Sequence, residues 1–352
     1  MLTVSEHVFI WDDTWDIADT HTNVRQVVNN SHDKKSHNKD KKIVKDRIDS
    51  WVKETMNMEF IWDGLRTDTS KASIQFIDIL DGGPWKDWIP AIMDPVFLSQ
   101  DEVTTSMLYL GDEDLWIVVT WEKEVKFYPY AILNWHEIVN DTIDETYIAV
   151  TFCPLCWSAI VFDRAIDDGM KVVKFGVSWK LWQSNLLMYD NATETLWSQA
   201  RGLWVVGHYV DIKLTHIDSD VMNYKEFTQA HPSWVVLSDD TGYTRNYAQA
   251  PYGDYDVNDR LFFPVDNLDA RLPKKEILYV VNDNEVSVAF VRNNLRKEWD
   301  ASLLVGSAQY DAVFDAWNII VSKSWETLSW YHEMFFSRAT HNPKSKNIWM
   351  GE

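Results

Sequence analysis

From about Ile74 onward, short runs of β-branched and aromatic residues recur, each bounded by Asp, Asn, Gly or Pro. That texture predicts strands joined by tight turns. "DLWIVVTWEKEVKFYPYAIL" reads as a strand, a turn, a second strand and a short helical piece. "TYIAVTF" reads as a strand that leads into a pair of cysteines. "SAIVFDRAIDDGMKVVKFGVS" reads as a hairpin turning at "DDG", and "LLMYDNATETLWSQ" as another turning near "NATE". "HPSWVVLSDDTGYTRNY" reads as a third strand–turn–strand unit, turning at "DDTG". The expected fold is mainly β (α+β), with antiparallel strands and hairpins and a few short helices.

The pattern also divides the chain. Residues 1–55 form an N-terminal segment in which "NNSHDKKSHNKDKK" is polar, charged and without periodicity, as in a solvated linker. "IVKDRIDSWVKETMNM" then shows the apolar spacing of a helix. Further on, "DLWIVVTWEKEVKFYPYAILNW" is echoed by "EILYVVNDNEVSVAFVRNNLRK" (276–297), and "FTQAHPSW" more faintly by "FSRATHNP". Such echoes suggest two related β lobes, at 56–260 and 261–352, with any chemistry on the first.

Composition narrows the classes. Hydrophobic residues make up 46% and charged residues 25% of 352, the profile of a globular chain. A net charge of −21 argues against a nucleic-acid partner, which needs a basic face to meet phosphates. No apolar run approaches the ~20 residues of a membrane span. The N-terminus, "MLTVSEHVFIWDDTWD", lacks the basic and apolar regions of a signal peptide. Two cysteines, Cys153 and Cys156 in "VTFCPLCWSAIVFD", cannot make a disulfide framework; they read as half of a metal site or as a redox pair. Packing as small apolar residues is the bland alternative.

"GGPWKDWIPAI", "YPYAILNWHEIVND", "VTFCPLCWSAIVFDR", "FGVSWKLWQSNLLMYD", "TLWSQ" and "HPSWVVLSDDTGYTRNY" occur in this order. Together they resemble the domain-of-unknown-function 3179 family of bacteria and archaea. The match runs from about Gly82 to Tyr255 and more weakly beyond. The resemblance brings no established activity; it implies an exported or envelope-anchored protein, for which this N-terminus gives no sign. The family carries glycine where this chain has Trp85, Trp88, Trp121, Trp157 and Trp179, at expected turns and hairpin tips where glycine is physically favoured. Twenty Trp stand against 12 Gly. Reading glycine-coding UGA codons as tryptophan would produce this pattern; a divergent, tryptophan-rich member is the other explanation. Trp135 and Trp197 match family tryptophans.

With glycine at 157 the motif becomes "CPLCG", similar to a rubredoxin or zinc-ribbon knuckle, in which two thiolates share a metal and turn N–H groups stabilise them. A closed zinc site needs four ligands. His136, in a family motif just upstream of the cysteine-bearing strand, is the first further candidate, as metal ligand or as base for a Cys153 nucleophile. Glu137 and Asp141 lie close by. His231 is the second candidate and His208 a distant third. A homodimer would be the other source of ligands. A Cys₂His set suits Zn, Cu or Fe. "SAIVFDR" after the pair reads as a strand, which weighs against a thioredoxin-like helix start. Arg164, Lys180 and Arg245, with Ser184, Ser198 and Gln199, fall near strand ends and turns and are candidates to line a pocket for an anionic or sugar-like small molecule. Phe127, Tyr128, Phe175 and Tyr189 read as core. The sequence thus points to a metal-binding or redox protein centred on Cys153 and Cys156. The alternative is a cell-envelope recognition module with structural cysteines.

Overall fold

The computed structural model describes residues 64–351, apart from 108, 109, 123, 284, 285, 316 and 317. The linker expected at 29–42 and the helix expected at 43–58 lie outside this range. The described part is β-rich, with antiparallel sheets and a few short helices.

Three larger sheets carry the core. One is ordered Asp220–Asn223, Leu115–Thr120, Val125–Pro129, Val235–Leu237, Phe97–Ser99. The second runs Ile348–Trp349, Val286–Val291, Ile277–Asp283, Tyr331–Met334, Ser158–Asp163, Thr146–Cys153, Ile138–Ile143, with His216–Ile217 also on Ser158–Asp163. The third runs Ile79–Asp81, Phe175–Trp182, Asn185–Asp190, Leu196–Ser198, Leu203–Val206. A four-stranded meander spans Asp300–Val305 to Glu326–Leu328.

The chain repeats one design. Leu115–Thr120 pairs with Val125–Pro129, the helix Tyr130–His136 follows, and Asp220–Asn223 returns against Leu115–Thr120. Ile277–Asp283 pairs with Val286–Val291, the helix Arg292–Glu298 follows, and Tyr331–Met334 returns against Ile277–Asp283. Even the helix ends correspond. Phe152 N bonds Glu137 O at 2.8 Å, and Phe314 N bonds Trp299 O at 2.7 Å. Each copy closes with a parallel strand, Val235–Leu237 on Val125–Pro129 and Ile348–Trp349 on Val286–Val291. The copies are fused: His332 of the second pairs with Ala159 of the first inside one sheet.

Burial separates the copies. Residues 148–153 and 158–162 are buried without a break, whereas Ala308–Asp315 alternates between core and solvent. A strand covered on both sides reads as an apolar run, and one covered on a single side reads as an alternation.

Two hairpins differ from expectation. The "DDG" turn closes only a short ladder, Ala165–Ile166 on Lys171–Val172. Its flanking strands leave for different sheets, Ser158–Asp163 to Thr146–Cys153 and Phe175–Trp182 to Asn185–Asp190. After "DDTG" no second strand forms, because the segment is held by side chains instead: Tyr247 OH bonds both Thr241 Oγ1 and His136 Nε2, each at 2.7 Å.

Candidate functional site

Cys153 ends the strand Thr146–Cys153, and Ser158, its register partner, begins the next. Between them Cys156 N bonds Cys153 O at 3.1 Å, closing a β-turn. Trp157 completes the turn at φ 47°, a left-handed conformation that suits glycine. Both cysteines are free thiols and both are buried.

The third sheet builds the floor. Trp182 and Asn185 pair across a two-residue turn, Gln183–Ser184, with both residues at positive φ. That geometry aims the Ser184 carbonyl at the motif, and Cys156 Sγ donates to it at 3.1 Å. Gln183 is pinned from two sides: Asp266 N donates to its Oε1 at 2.8 Å, as does Thr340 Oγ1. Beneath lies a fully buried amide lattice. Gln199 Oε1 accepts from Ser158 Oγ at 2.7 Å and Asn185 Nδ2 at 2.9 Å, while Gln199 Nε2 donates to Thr151 Oγ1 at 3.0 Å. Paired this thoroughly, such a lattice fixes one arrangement.

A loop covers the turn: Tyr255 OH bonds Leu155 O at 2.9 Å, and Tyr252 OH bonds Glu137 Oε1 at 3.0 Å. Burial pushes the Cys156 thiol well above its ordinary range, and the adjacent Cys153 thiol pushes it further. Ser337 and Asn185 pull the other way. Burial also raises the Glu137 carboxyl to about 7, against the Tyr252 hydrogen bond. The Tyr252 hydroxyl is held above its usual range by burial, then by Glu137 and Cys153.

The other expected residues have other partners. His136 is buried at the end of its helix; Nδ1 lies 2.7 Å from Pro90 O and Nε2 2.7 Å from Tyr247 OH. Neither ring nitrogen is left for a metal or for Cys153, and desolvation lowers its pKa to about 4, so it is neutral. His231 packs edge-on to Phe127 in the aromatic cluster of the first sheet. His208 packs on Tyr209. Asp141 accepts from Lys126 and Tyr128. Among the described residues no group of three or more His, Cys, Asp or Glu is arranged to hold a metal ion.

The three cations expected around one pocket are spent separately. Arg164 donates to the carbonyls of Ile148, Val173 and Asp141 at 3.0, 3.2 and 2.8 Å. Lys180 pairs with Asp81 at 2.9 Å. Arg245 bonds its neighbour's carbonyl, Thr244 O. A cleft of about 460 Å³, whose walls include Asp163, Asp167, Asp168 and Asp211, contains none of the three. Of the polar residues flagged by position, Ser184 and Gln199 do gather at the cysteines. Asn185, Tyr252, Ser337 and Glu333 join them without any local signal in their own stretches.

The family model described as "Protein of unknown function (DUF3179)" matches residues 86–351. The chain belongs to this family. No curated protein and no solved structure matches it. The DUF3179 domain therefore contains both copies of the repeat and the whole cysteine site. Among its described residues no helix is long and apolar enough to cross a membrane.

Proposed function

We propose that Cys153 and Cys156 of this DUF3179 domain form a dithiol–disulfide redox centre. The observation that carries the reading is the turn itself. Two free thiols share one hydrogen-bonded β-turn, so their Cα atoms lie within roughly 7 Å, inside the outer limit for a disulfide, and the two thiols interact directly. Both thiols are buried; Cys153, 2% exposed against 0% for Cys156, is the attacking thiol in this reading and Cys156 the resolving one. The reaction is an exchange with a low-molecular-weight disulfide, RSSR. Cys153 thiolate attacks RSSR, giving a mixed disulfide and one RS⁻; Cys156 then attacks Cys153 Sγ and expels the second RS⁻. Two thiols are oxidised to one disulfide, RSSR is reduced to two RSH, and the two protons end on the leaving thiols.

A Zn, Cu or Fe ion held by both thiolates would need further ligands, and among the described residues no group of three or more His, Cys, Asp or Glu is arranged to hold one, so the dithiol reading stands first. One experiment separates the two. The purified protein is equilibrated in glutathione buffers of graded potential, free thiols are trapped by alkylation, and intact mass is read alongside metal content. A single two-electron transition, absent in Cys153→Ser, is expected. Thiols that stay reduced at every potential overturn the reading. Thiols that become reactive only after chelation, with one metal per chain, overturn it in favour of the metal.

A further inference from the structure

The repeat allows a comparison of the two copies residue by residue. Met222 pairs with Trp116 in the first copy, and Glu333 pairs with Leu278 at the corresponding place in the second. Counting from these pairs, Phe227 of the first copy corresponds to Arg338 of the second. Phe227 stacks on Phe127 with centroids 3.8 Å apart, as a core residue should. In the second copy the same two positions hold a carboxyl and a guanidinium, both 0% exposed. Burying two such groups is costly, and the first copy shows that the fold does not require it.

The polar pair lies against the cysteine turn. Met334 N, next to Glu333, donates to Cys156 O at 2.8 Å. Glu333 Oε1 accepts from Tyr331 OH at 3.1 Å, and its Oε2 makes no hydrogen bond. Arg338 Nη2 donates to Ser287 O, Ser345 Oγ and Asn347 O, while its Nε and Nη1 make none. Ser337, on the helix Phe335–His341, stands beside both the Cys156 thiol and the Glu333 carboxyl and favours the charged form of each. Its Oγ lies 3.4 Å from His341 Nδ1.

Building on the dithiol reading, we propose that Glu333 is the proton acceptor for Cys156, with Ser337 as the relay. As Cys156 turns to attack Cys153, its thiol proton passes to Ser337 Oγ, and the hydroxyl proton of Ser337 passes to Glu333. Reduction of the disulfide returns it. Net, one proton moves from Cys156 Sγ to Glu333 and stays there until reduction, while the thiolate expelled from Cys153 is protonated from solvent. The carboxyl acts through Ser337 and does not touch the exchanging disulfide.

The electrostatics fit this role. Burial lifts Glu333 to about 7, with Ser337, Arg338 and Tyr331 opposing, so at neutral pH it both takes and gives a proton. Cys156, held well above its ordinary range, does not ionise unaided. The charged and titratable groups facing Glu333 are Tyr331 on its own strand, Arg338 on the following helix and Cys156 across Ser337. From the paired strand, Asn282 reaches it only through Tyr331. His332 stacks on Tyr279 and Trp330 instead.

The test uses the full chain loaded at Cys153 with an aromatic thiol as a mixed disulfide. Release of that thiol reports attack by Cys156 and is followed across the neutral pH range. Wild type is expected to show an inflection near 7. Glu333→Gln should lose the inflection and slow release on the order of 100-fold, and Ser337→Ala should slow it as well. Glu333→Met, which installs the first copy's residue, guards against a folding defect and should behave like Glu333→Gln. Release in Glu333→Gln with the wild-type profile overturns the relay and leaves the dithiol reading standing. Failure of wild type to release the thiol at any pH overturns both.

Discussion

Cys156 and Ser184 are joined by a hydrogen bond in which the thiol donates to a main-chain carbonyl at 3.1 Å. The donor belongs to a turn between strands of one sheet and the acceptor to a turn of another, so the bond ties the two sheets together at the motif. The acceptor is held by Gln183, which is fixed to Asp266 and Thr340. Gln183→Ala should therefore loosen the floor under Cys156 while leaving the sheets intact. The expected result is native-state alkylation of Cys156 faster by about tenfold, with a stability loss of about 1–3 kcal/mol for the stranded polar partners. Mass-resolved labelling kinetics check it. Labelling that speeds up only in proportion to the measured loss of global stability would mean that Cys156 is exposed by global unfolding alone.

Among the described residues four tryptophans sit at positive φ: Trp157 at 47°, Trp179 at 58°, Trp299 at 72° and Trp325 at 78°. Each occupies a position that calls for glycine. Trp157 ends the cysteine turn, Trp179 lies where the ladder slips by a bulge, Trp299 caps a helix, and Trp325 is the second residue of a two-residue hairpin turn. Trp325 is also 100% exposed. Replacement by glycine at each of these should recover roughly 1 kcal/mol, the cost of holding a side chain in the left-handed region, set at Trp157 and Trp179 against the core contacts that those rings lose. Trp85, Trp88 and Trp121 have no positive φ, so glycine there should bring no such gain. Chemical denaturation of the seven single variants separates the two groups. Peptide mass spectrometry of protein from the source organism then reads the native residue directly, and tryptophan at 157 there would sink the recoding explanation.

The strands and the turn of the cysteines were legible because both are local. β-Branched runs bounded by turn residues need no partner to be recognised, and C-x-x-C is read within four residues. The expectation for His136 rested on chain proximity, and the fold spends that histidine on Pro90 and Tyr247, far away in sequence. Of the suspect tryptophans, Trp157 and Trp179 fall in the left-handed region, while Trp299 and Trp325 were missed because their turns lie in the copy where the family likeness is weak. Glu333 and Ser337 were hidden for a subtler reason. Setting "FTQAHPSW" against "FSRATHNP" aligns Phe227 with Phe336, whereas strand pairing aligns Phe227 with Arg338. The shifted alignment conceals the replacement of Met222 and Phe227 by Glu333 and Arg338.

Arg164 carries a structural prediction. Its guanidinium ties together three carbonyls, those of Ile148, Val173 and Asp141, and only 4% of the residue is exposed. Arg164→Met keeps much of the volume and strands the three acceptors. The expected loss is about 3 kcal/mol or more, as for other broken buried networks, with little change in the redox midpoint of the cysteines. A shift in that midpoint comparable to the loss of stability would instead connect Arg164 to the site.

Glu137 should make stability depend on pH in a direction that can be worked out. It caps the helix Tyr130–His136 at φ 57°, is buried, and accepts from Tyr252. Burial raises its folded-state pKa from 4.5 to about 7. The folded state then binds the proton more tightly than the unfolded chain does. The contribution to stability is complete below 4.5 and is lost as pH rises toward about 7. Glu137→Gln keeps an acceptor for Tyr252 and removes the titration. Its stability relative to wild type should therefore increase between those two pH values, by an amount on the order of 3 kcal/mol. His136, lowered to about 4, works in the opposite sense, with stability lost as pH falls from 6.5 toward 4, but it is common to both proteins and cancels in the difference. Urea midpoints of the pair at several pH values measure that difference. A constant offset would show that Glu137 keeps an ordinary pKa in the folded state and does not store a proton beside the cysteines.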